Sequence, residues 1–175
     1  MNTGIITPTE IVRMREIDIT SVLEILTENK LENWSYNDLF SEIQRDDSIL
    51  LVVVFQKEII GFCIARLIRL ENITTDLNNK NNIQSECKIY KNECEIYNIA
   101  VKKKYQKRGI GRQMLNKIVL LATEQQSQSI WLEVRNSNFK AINFYRSNSF
   151  RQMYKRKNFY SNPSEDAIVM KRNLK

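Results

Sequence analysis

The chain has 175 residues, of which 27 % are charged, and its 27 lysines and arginines against 20 acidic residues give a formal net charge of +7. It contains no histidine, which excludes a Ser-His-Asp triad, a Cys-His pair and histidine metal ligands, and its three cysteines are too few for a four-thiolate zinc site. Acid–base chemistry is therefore expected from Asp, Glu, Tyr, Lys, Cys or water, and the positive charge favours nucleic acid, an acidic membrane surface or an anionic ligand as the partner.

The first elements predicted along the chain are a short strand and two helices. The strand is expected at residues 11–15, and Asp18 with Thr20 predicts a capped helix directly after it. Ser35 precedes Asp38 by three residues, which is the spacing of a capping box at the start of a second helix.

A hairpin and an insertion are expected next. The β-branched run at 48–55 is typical of a buried strand, and the chain returns as a second strand at 59–69. Residues 71–92 are rich in Asn and Lys and poor in large apolar residues, so we expect a surface loop inserted between two strands. The length of the chain predicts a single domain over residues 1–175.

The N-terminus and the cysteines favour a cytoplasmic protein. Residues 1–15 lack the basic-then-apolar layout of a signal peptide. The longest apolar run, at 49–55, is far shorter than the ~20 residues of a membrane span, so only charge could hold the chain at a membrane. The odd cysteine count and the lack of a C-x-x-C motif predict reduced thiols at Cys63, Cys87 and Cys94.

The second half of the chain alternates strands with helices. Strands are expected at 95–101, 129–135, 151–160 and 166–172, and helices at 109–124 and 139–147. The strand–helix–strand order in the middle implies a parallel pair of strands there, so the fold class is α/β.

Two of the four glycines, Gly109 and Gly111, lie where a strand gives way to a helix. Glycine there lets the backbone turn tightly and approach a ligand, and the N–H groups of a helix start favour an anion. Six basic residues surround them, at Lys102, Lys103, Lys104, Lys107, Arg108 and Arg112. The alternatives are a diphosphate site, a polybasic nucleic-acid patch and a plain glycine turn with a solvated basic face. The clustering at one helix N-terminus favours the diphosphate, although neither the P-loop pattern nor the dinucleotide fingerprint is present.

Residues 106–111, Gln-Lys-Arg-Gly-Ile-Gly, resemble the Q/R-x-x-G-x-G/A signature of the GNAT N-acetyltransferases. Further segments resemble the RimI family within that superfamily, at 97–101, 131–135, 138, 141–142, 145 and 165–170. The resemblance is dense from residue 95 to residue 171 and thinner before it. It implies the GNAT acyl-CoA N-acyltransferase fold, an α+β arrangement of about seven mixed, mostly antiparallel, twisted strands with flanking helices.

The resemblance also implies an activity. RimI-type enzymes transfer the acetyl group of acetyl-CoA to a protein N-terminus, and a ribosomal protein that begins with alanine is the expected acceptor. A GNAT enzyme that acetylates a lysine side chain or a small amine stays open, because its site residues would hardly differ. A binding module whose basic surface meets nucleic acid is the third hypothesis. The expected partners are therefore acetyl-CoA and a protein N-terminus, without a metal, a membrane or nucleic acid.

Ten residues are assigned to acetyl-CoA by the resemblance. The backbone of a strand splayed from its neighbour is expected to hold the pantetheine arm, and the glycine segment the pyrophosphate. Asn138 lies two helical turns before Tyr145, and it is expected to contact coenzyme A, to act as a helix N-cap, or both. The ten residues are Ile99, Ala100, Val101, Lys107, Arg108, Gly109, Ile110, Gly111, Arg112 and Asn138.

The resemblance assigns the general base to Glu133 and the general acid to Tyr145. The alternative for Glu133 is an exposed strand carboxylate paired with Arg135, and the alternative for Tyr145 is a core aromatic beside Phe144 and Phe150. An α-amine has a pKa of about 8 and is partly neutral at pH 7, so a weak base suffices. Because a thiolate leaves readily, Tyr145 is expected to act by positioning as much as by donating a proton.

Trp34 and Tyr160 fall where the family lines its acceptor groove, with simple packing as the alternative. Two positions depart from the family pattern. Asn33 stands where the family has a proline, which affects acceptor selection. Asn148 stands before Ser149 where the family has Leu-Gly, and we expect Asn148 to adopt the left-handed conformation that glycine usually provides.

Overall fold

The structure of the protein, a computed structural model, describes residues 9–31, 34–75 and 86–174. The strands are β1 (Glu10–Arg13), β2 (Ser48–Phe55), β3 (Glu58–Thr75), β4 (Glu86–Val101), β5 (Ser127–Arg135), β6 (Arg151–Ser161) and β7 (Ser164–Asn173). The helices are α1 (Ile19–Glu28), α2 (Tyr36–Ile43), α3 (Ile110–Glu124) and α4 (Phe139–Ser147).

The seven strands form one sheet in the order β1-β2-β3-β4-β5-β7-β6. Every neighbouring pair is antiparallel except β4 and β5, which the crossover through α3 makes parallel. The predicted fold class, a mixed and mostly antiparallel sheet of seven strands with flanking helices, is confirmed.

Helices cover both faces of the sheet around β2 and β3. The side chains Leu51 and Val53 of β2 enter the apolar cluster that holds α3, whereas Leu50 and Val52 enter the cluster that holds α1 and α2. A strand buried on both faces has no polar side to alternate with, which explains the continuous apolar run in its sequence.

The predicted capping box at the start of α2 is confirmed. The backbone N–H of Asp38 donates to Ser35 Oγ at 3.2 Å, and the N–H of Ser35 donates to Asp38 Oδ2 at 2.8 Å. These bonds satisfy two of the N–H groups that a helix start leaves unpaired.

The predicted loop at 71–92 is wrong at both of its ends. β3 runs on to Thr75 and β4 begins at Glu86, and the two strands pair with each other through this extension up to Thr75–Glu86. Residues 76–85 lie outside the described part of the chain. The polar composition misled the prediction, because two strands that hydrogen-bond to each other need no core beneath them.

The prediction that Asn148 adopts the left-handed conformation is wrong. Asn148 has φ −109°, and the left-handed residue after α4 is Ser149, with φ +70°. Asn148 is buried, and its Nδ2 donates to the backbone oxygen of Phe144 at 2.7 Å. The side chain of Asn148 thus satisfies a free carbonyl at the end of α4, which leaves the next residue to make the turn.

The described ranges show neither a membrane-spanning helix nor a cluster of metal ligands. No helix in them is long and apolar enough to cross a membrane. No group of three or more Cys, Asp or Glu side chains in them is arranged to hold a metal ion.

Candidate active site

A cleft opens where β4 and β5 separate. Their pairing ends at Ile96–Leu132, beyond which β4 stays paired only with β3 and β5 only with β7. The separated ends line a cleft of about 780 Å³. One edge of β4 from residue 97 to residue 101 therefore presents backbone N–H and C=O groups to a ligand.

Of the 14 predicted site residues, all of which the structure describes, 13 line the cleft. Arg108 is the exception, and its guanidinium lies over the ring of Tyr105 at 5.8 Å. Asn33, the predicted departure from the family pattern, lies outside the described residues. The predicted residues that line the cleft are Trp34, Ile99, Ala100, Val101, Lys107, Gly109, Ile110, Gly111, Arg112, Glu133, Asn138, Tyr145 and Tyr160.

One end of the cleft is cationic and lies at the start of α3. Gly109 precedes the helix with φ +80°, a conformation that a side chain would strain. Gly109, Ile110 and Gly111 line the cleft, so the positive end of the helix dipole faces it. Four cations line the cleft and form no ion pair with a carboxylate among the described residues, and all but Lys30 lie on or against the segment that starts α3: Lys30, Lys107, Arg112 and Lys140.

Two lysines of the basic run before Gly109 are paired with a carboxylate away from the cleft. Lys102 and Lys104 donate to Glu58 at 3.0 and 3.1 Å, and neither lines the cleft. The hydroxyl of Tyr105 donates to the same carboxylate at 2.7 Å, and these bonds lower the pKa of Glu58 to about 2. The sequence analysis did not predict two further cations that line the cleft, Lys30 and Lys140, although each lies at or near the end of a helix.

The other end of the cleft carries two carboxylates, one of which is Glu133. Its Oε1 accepts a hydrogen bond from Arg156 Nη1 at 2.5 Å. The alternative partner suggested by the sequence, Arg135, instead lies 3.4 Å from Glu165 and donates to the backbone oxygen of Asn162 at 2.8 Å. Glu133, the proposed base, is therefore ion-paired, but its partner is a residue of β6 and not Arg135.

Glu95 is the second carboxylate, and the sequence prediction missed it. It lies in register beside Trp131 and, like Glu133, lines the cleft. Burial raises the pKa of Glu95, the charge of Glu133 adds to that rise, and a hydrogen bond from Tyr97 opposes it. The sequence did contain a signal for Glu95. It stands between Cys94 and Ile96, two core residues of the same strand, so its side chain lies on the opposite face of the sheet from theirs.

Tyr145 and Asn138 project from α4. The Tyr145 ring packs against Phe144 and Phe150 at 5.3 and 5.5 Å, so the expected core contact exists together with its place on the cleft. Burial raises the pKa of Tyr145, and its hydroxyl has no hydrogen-bond partner among the described residues. Asn138 Oδ1 accepts from the N–H of Ala141 at 3.1 Å, so Asn138 is the N-cap of α4.

Aromatic side chains form walls at the carboxylate end. Trp34 Nε1 donates to Asn98 Oδ1 at 2.6 Å, and the Trp34 ring meets that of Tyr97 edge to face at 6.3 Å. The ring of Tyr160 lies under the guanidinium of Arg135 at 4.1 Å. This arrangement suits an anionic ligand at one end of the cleft and an amine at the other.

Comparison with known proteins gives a consistent result. The acetyltransferase (GNAT) family matches residues 19–150. A [ribosomal protein bS18]-alanine N-acetyltransferase of Haemophilus influenzae is 30 % identical over 156 residues, which cover 87 % of this chain and 90 % of that relative.

Solved structures share the fold. The ribosomal-protein-S18-alanine N-acetyltransferase from Escherichia coli has a TM-score of 0.74 at 24 % identity, over 95 % of this chain and 94 % of that one. Arabidopsis thaliana NAA60 in complex with acetyl-CoA has a TM-score of 0.76 at 17 % identity, over 95 % of this chain and 99 % of that one.

Proposed function

The chain belongs to the acetyltransferase (GNAT) family, and on that premise we propose that it transfers the acetyl group of acetyl-CoA to the free α-amine of a protein N-terminus. The proposed acceptor is a ribosomal protein that begins with alanine, by analogy with the bS18-alanine N-acetyltransferases. The observation that carries the proposal is the arrangement of the cleft, with cations that form no ion pair beside the start of α3 and two carboxylates near aromatic side chains at the other end.

Acetyl-CoA fits the cationic end. The start of α3 with Lys107 and Arg112 would hold the phosphates, because backbone N–H groups and unpaired cations both favour anions. The backbone of Ile99, Ala100 and Val101 borders the gap between β4 and β5, where an extended pantetheine arm would add hydrogen bonds to the open strand edge. A backbone N–H there would also stabilise the oxyanion of the acyl-transfer step.

Acetyl transfer then needs one base and one proton donor. The amine nitrogen attacks the thioester carbonyl carbon, and Glu133 accepts the proton that the nitrogen loses. The C–S bond breaks as the amide forms, and the leaving thiolate takes a proton from Tyr145 or from water. Burial raises the pKa of Tyr145, which makes this hydroxyl a weaker acid, so we expect it to act by orienting the sulfur as much as by donating a proton.

The first experiment is mass spectrometry of one peptide after incubation with acetyl-CoA. The peptide carries a free N-terminal Ala and an internal Lys. We expect acetylation of the α-amine alone. Acetylation of the lysine would move the assignment to a lysine acetyltransferase, and coenzyme A binding without any peptide product would favour a small amine.

Variants at the two carboxylates and at Tyr145 test the catalytic roles. Glu133→Gln should lower kcat/KM about 100-fold and Tyr145→Phe about tenfold, with coenzyme A still bound. Arg146→Gln, an exposed change on α4 outside the cleft, is the control that should leave turnover intact. A large loss in Glu95→Gln together with a normal Glu133→Gln enzyme would transfer the base to Glu95.

A further inference from the structure

Lys140 reaches from α4 to the segment that precedes α3. It is the second residue of α4, it lines the cleft, and its Nζ donates to Gln106 Oε1 at 2.7 Å. That neutral amide is its single partner within the part of the chain that the structure describes. A flexible ammonium group therefore spans the cationic end of the cleft without a counter-ion.

Gln106 is fixed from its other side. Its Nε2 donates to Asn29 Oδ1 at 3.0 Å and to the backbone oxygen of Val101 at 2.9 Å. Asn29 in turn donates to the backbone oxygen of Ile25 at 2.9 Å, which ties the group to α1. The amide of Gln106 is thus a fixed acceptor, whereas Lys140 is an exposed side chain that can leave it.

A phosphate oxygen is a stronger partner for Lys140 than this amide. A bond from the ammonium to a phosphate oxygen joins two full charges, and it adds a Coulomb attraction that a bond to a neutral amide lacks. Lys102 and Lys104 contrast with Lys140, because both already form ion pairs with Glu58. The free charge of Lys140 therefore remains available to an anion that enters beside Lys107 and Arg112.

We propose that Lys140 is a cofactor-binding residue that leaves Gln106 when coenzyme A enters the cleft and then pairs with one of its phosphates. The phosphate is either the pyrophosphate or the 3′-phosphate, since both carry the same chemistry. The proposal rests on the cofactor part of the proposed function and is independent of the acceptor.

Calorimetric titration with coenzyme A tests the proposal directly. Lys140→Gln should weaken binding about tenfold, and Lys140→Arg should restore most of it, because the charge returns. Arg146→Gln removes the same charge from the same helix outside the cleft and should bind like the parent protein. Binding of Lys140→Gln that equals that of the parent protein would overturn the proposal, as would an equal loss in Arg146→Gln.

Titration with 3′-dephospho-coenzyme A distinguishes the two phosphates. If Lys140→Gln loses about tenfold with both ligands, Lys140 pairs with the pyrophosphate. If the loss disappears with the dephospho ligand, Lys140 pairs with the 3′-phosphate. A parent protein that binds neither ligand would overturn this inference and the proposed function together, whereas binding without peptide acetylation would leave this inference standing.

Discussion

Glu133 and Arg156 form an ion pair, with 2.5 Å between Oε1 and Nη1, although β7 lies between their strands. Glu133 is in register with Val169 of β7, and Arg156 is in register with Ala167, two residues earlier. The pair therefore runs diagonally across one face of the sheet. It links a carboxylate of the cleft to an edge strand that is exposed along almost its whole length.

Arg156→Gln should lower the rate of acetyl transfer severalfold with little loss of stability. The variant removes the group that orients Glu133, but the Arg156 side chain is 52 % exposed, and exposed ion pairs contribute less than about 1 kcal/mol. Initial rates and thermal unfolding measure the two effects. Lys155→Gln is the control, since this neighbouring cation has no partner among the described residues. Equal rates in the two variants would contradict the orienting role.

Arg66→Met should destabilise the fold by about 3 kcal/mol in urea unfolding. Glu42 is almost fully buried, accepts from Arg66 Nε at 2.6 Å, and would be left as an unpaired buried charge. Arg45→Met breaks an exposed pair with Asp47 and should cost less than about 1 kcal/mol. A double variant that also carries Glu42→Leu should recover much of the loss. Similar losses of stability in Arg66→Met and Arg45→Met would show that burial does not determine how much these ion pairs contribute to stability.

Glu58→Gln should remove a stabilisation that depends on pH. The hydrogen bond from Tyr105 and the bonds from Lys102 and Lys104 lower the pKa of Glu58 from 4.5 to about 2. The stabilisation is therefore present above pH 4.5 and is lost as the pH falls towards 2. Because Glu58 is one-third exposed, we expect the parent protein to be more stable than the variant by about 1 kcal/mol at pH 7.

Free energies of unfolding, measured from pH 7 down to pH 3, check this expectation. The difference between the parent protein and Glu58→Gln should shrink continuously below pH 4.5. Glu124→Gln, at the end of α3 and without an ion-pair partner in the described ranges, should show no such trend. A difference that stays constant with pH would contradict the assigned cause.

The two glycines of the motif should respond in opposite directions to alanine. Gly109→Ala should destabilise the fold by about 1 kcal/mol, because φ +80° strains any residue with a Cβ atom. Gly111→Ala should leave stability unchanged or raise it, since the new Cβ would lie 3.5 Å from Phe144 and alanine favours a helix. Chemical unfolding measures the free energy of unfolding of both variants. A loss of stability in Gly111→Ala as large as that in Gly109→Ala would contradict the prediction.

Local signals in the sequence determined most elements of this fold. The capping box of Ser35 and Asp38, the apolar run of β2 and the glycine that starts α3 each depend on residues close together in the chain. The family motifs, which combine such local features, also named 13 of the residues that line the cleft. The hairpin extension of β3 and β4 was missed, because its pairing stabilises residues whose composition indicates a loop.

Only the tertiary structure decided how the cleft is charged. The pairing of Glu133 with Arg156, the position of Glu95 beside it and the contact of Lys140 with Gln106 join residues 23 to 38 positions apart. Which charges neutralise each other depends on where the sheet brings distant strands together, and on burial that no local pattern reports. The sequence by itself therefore determined the kinds of residue in the cleft, whereas the order and divergence of the strands decided which of them stay free to meet a ligand.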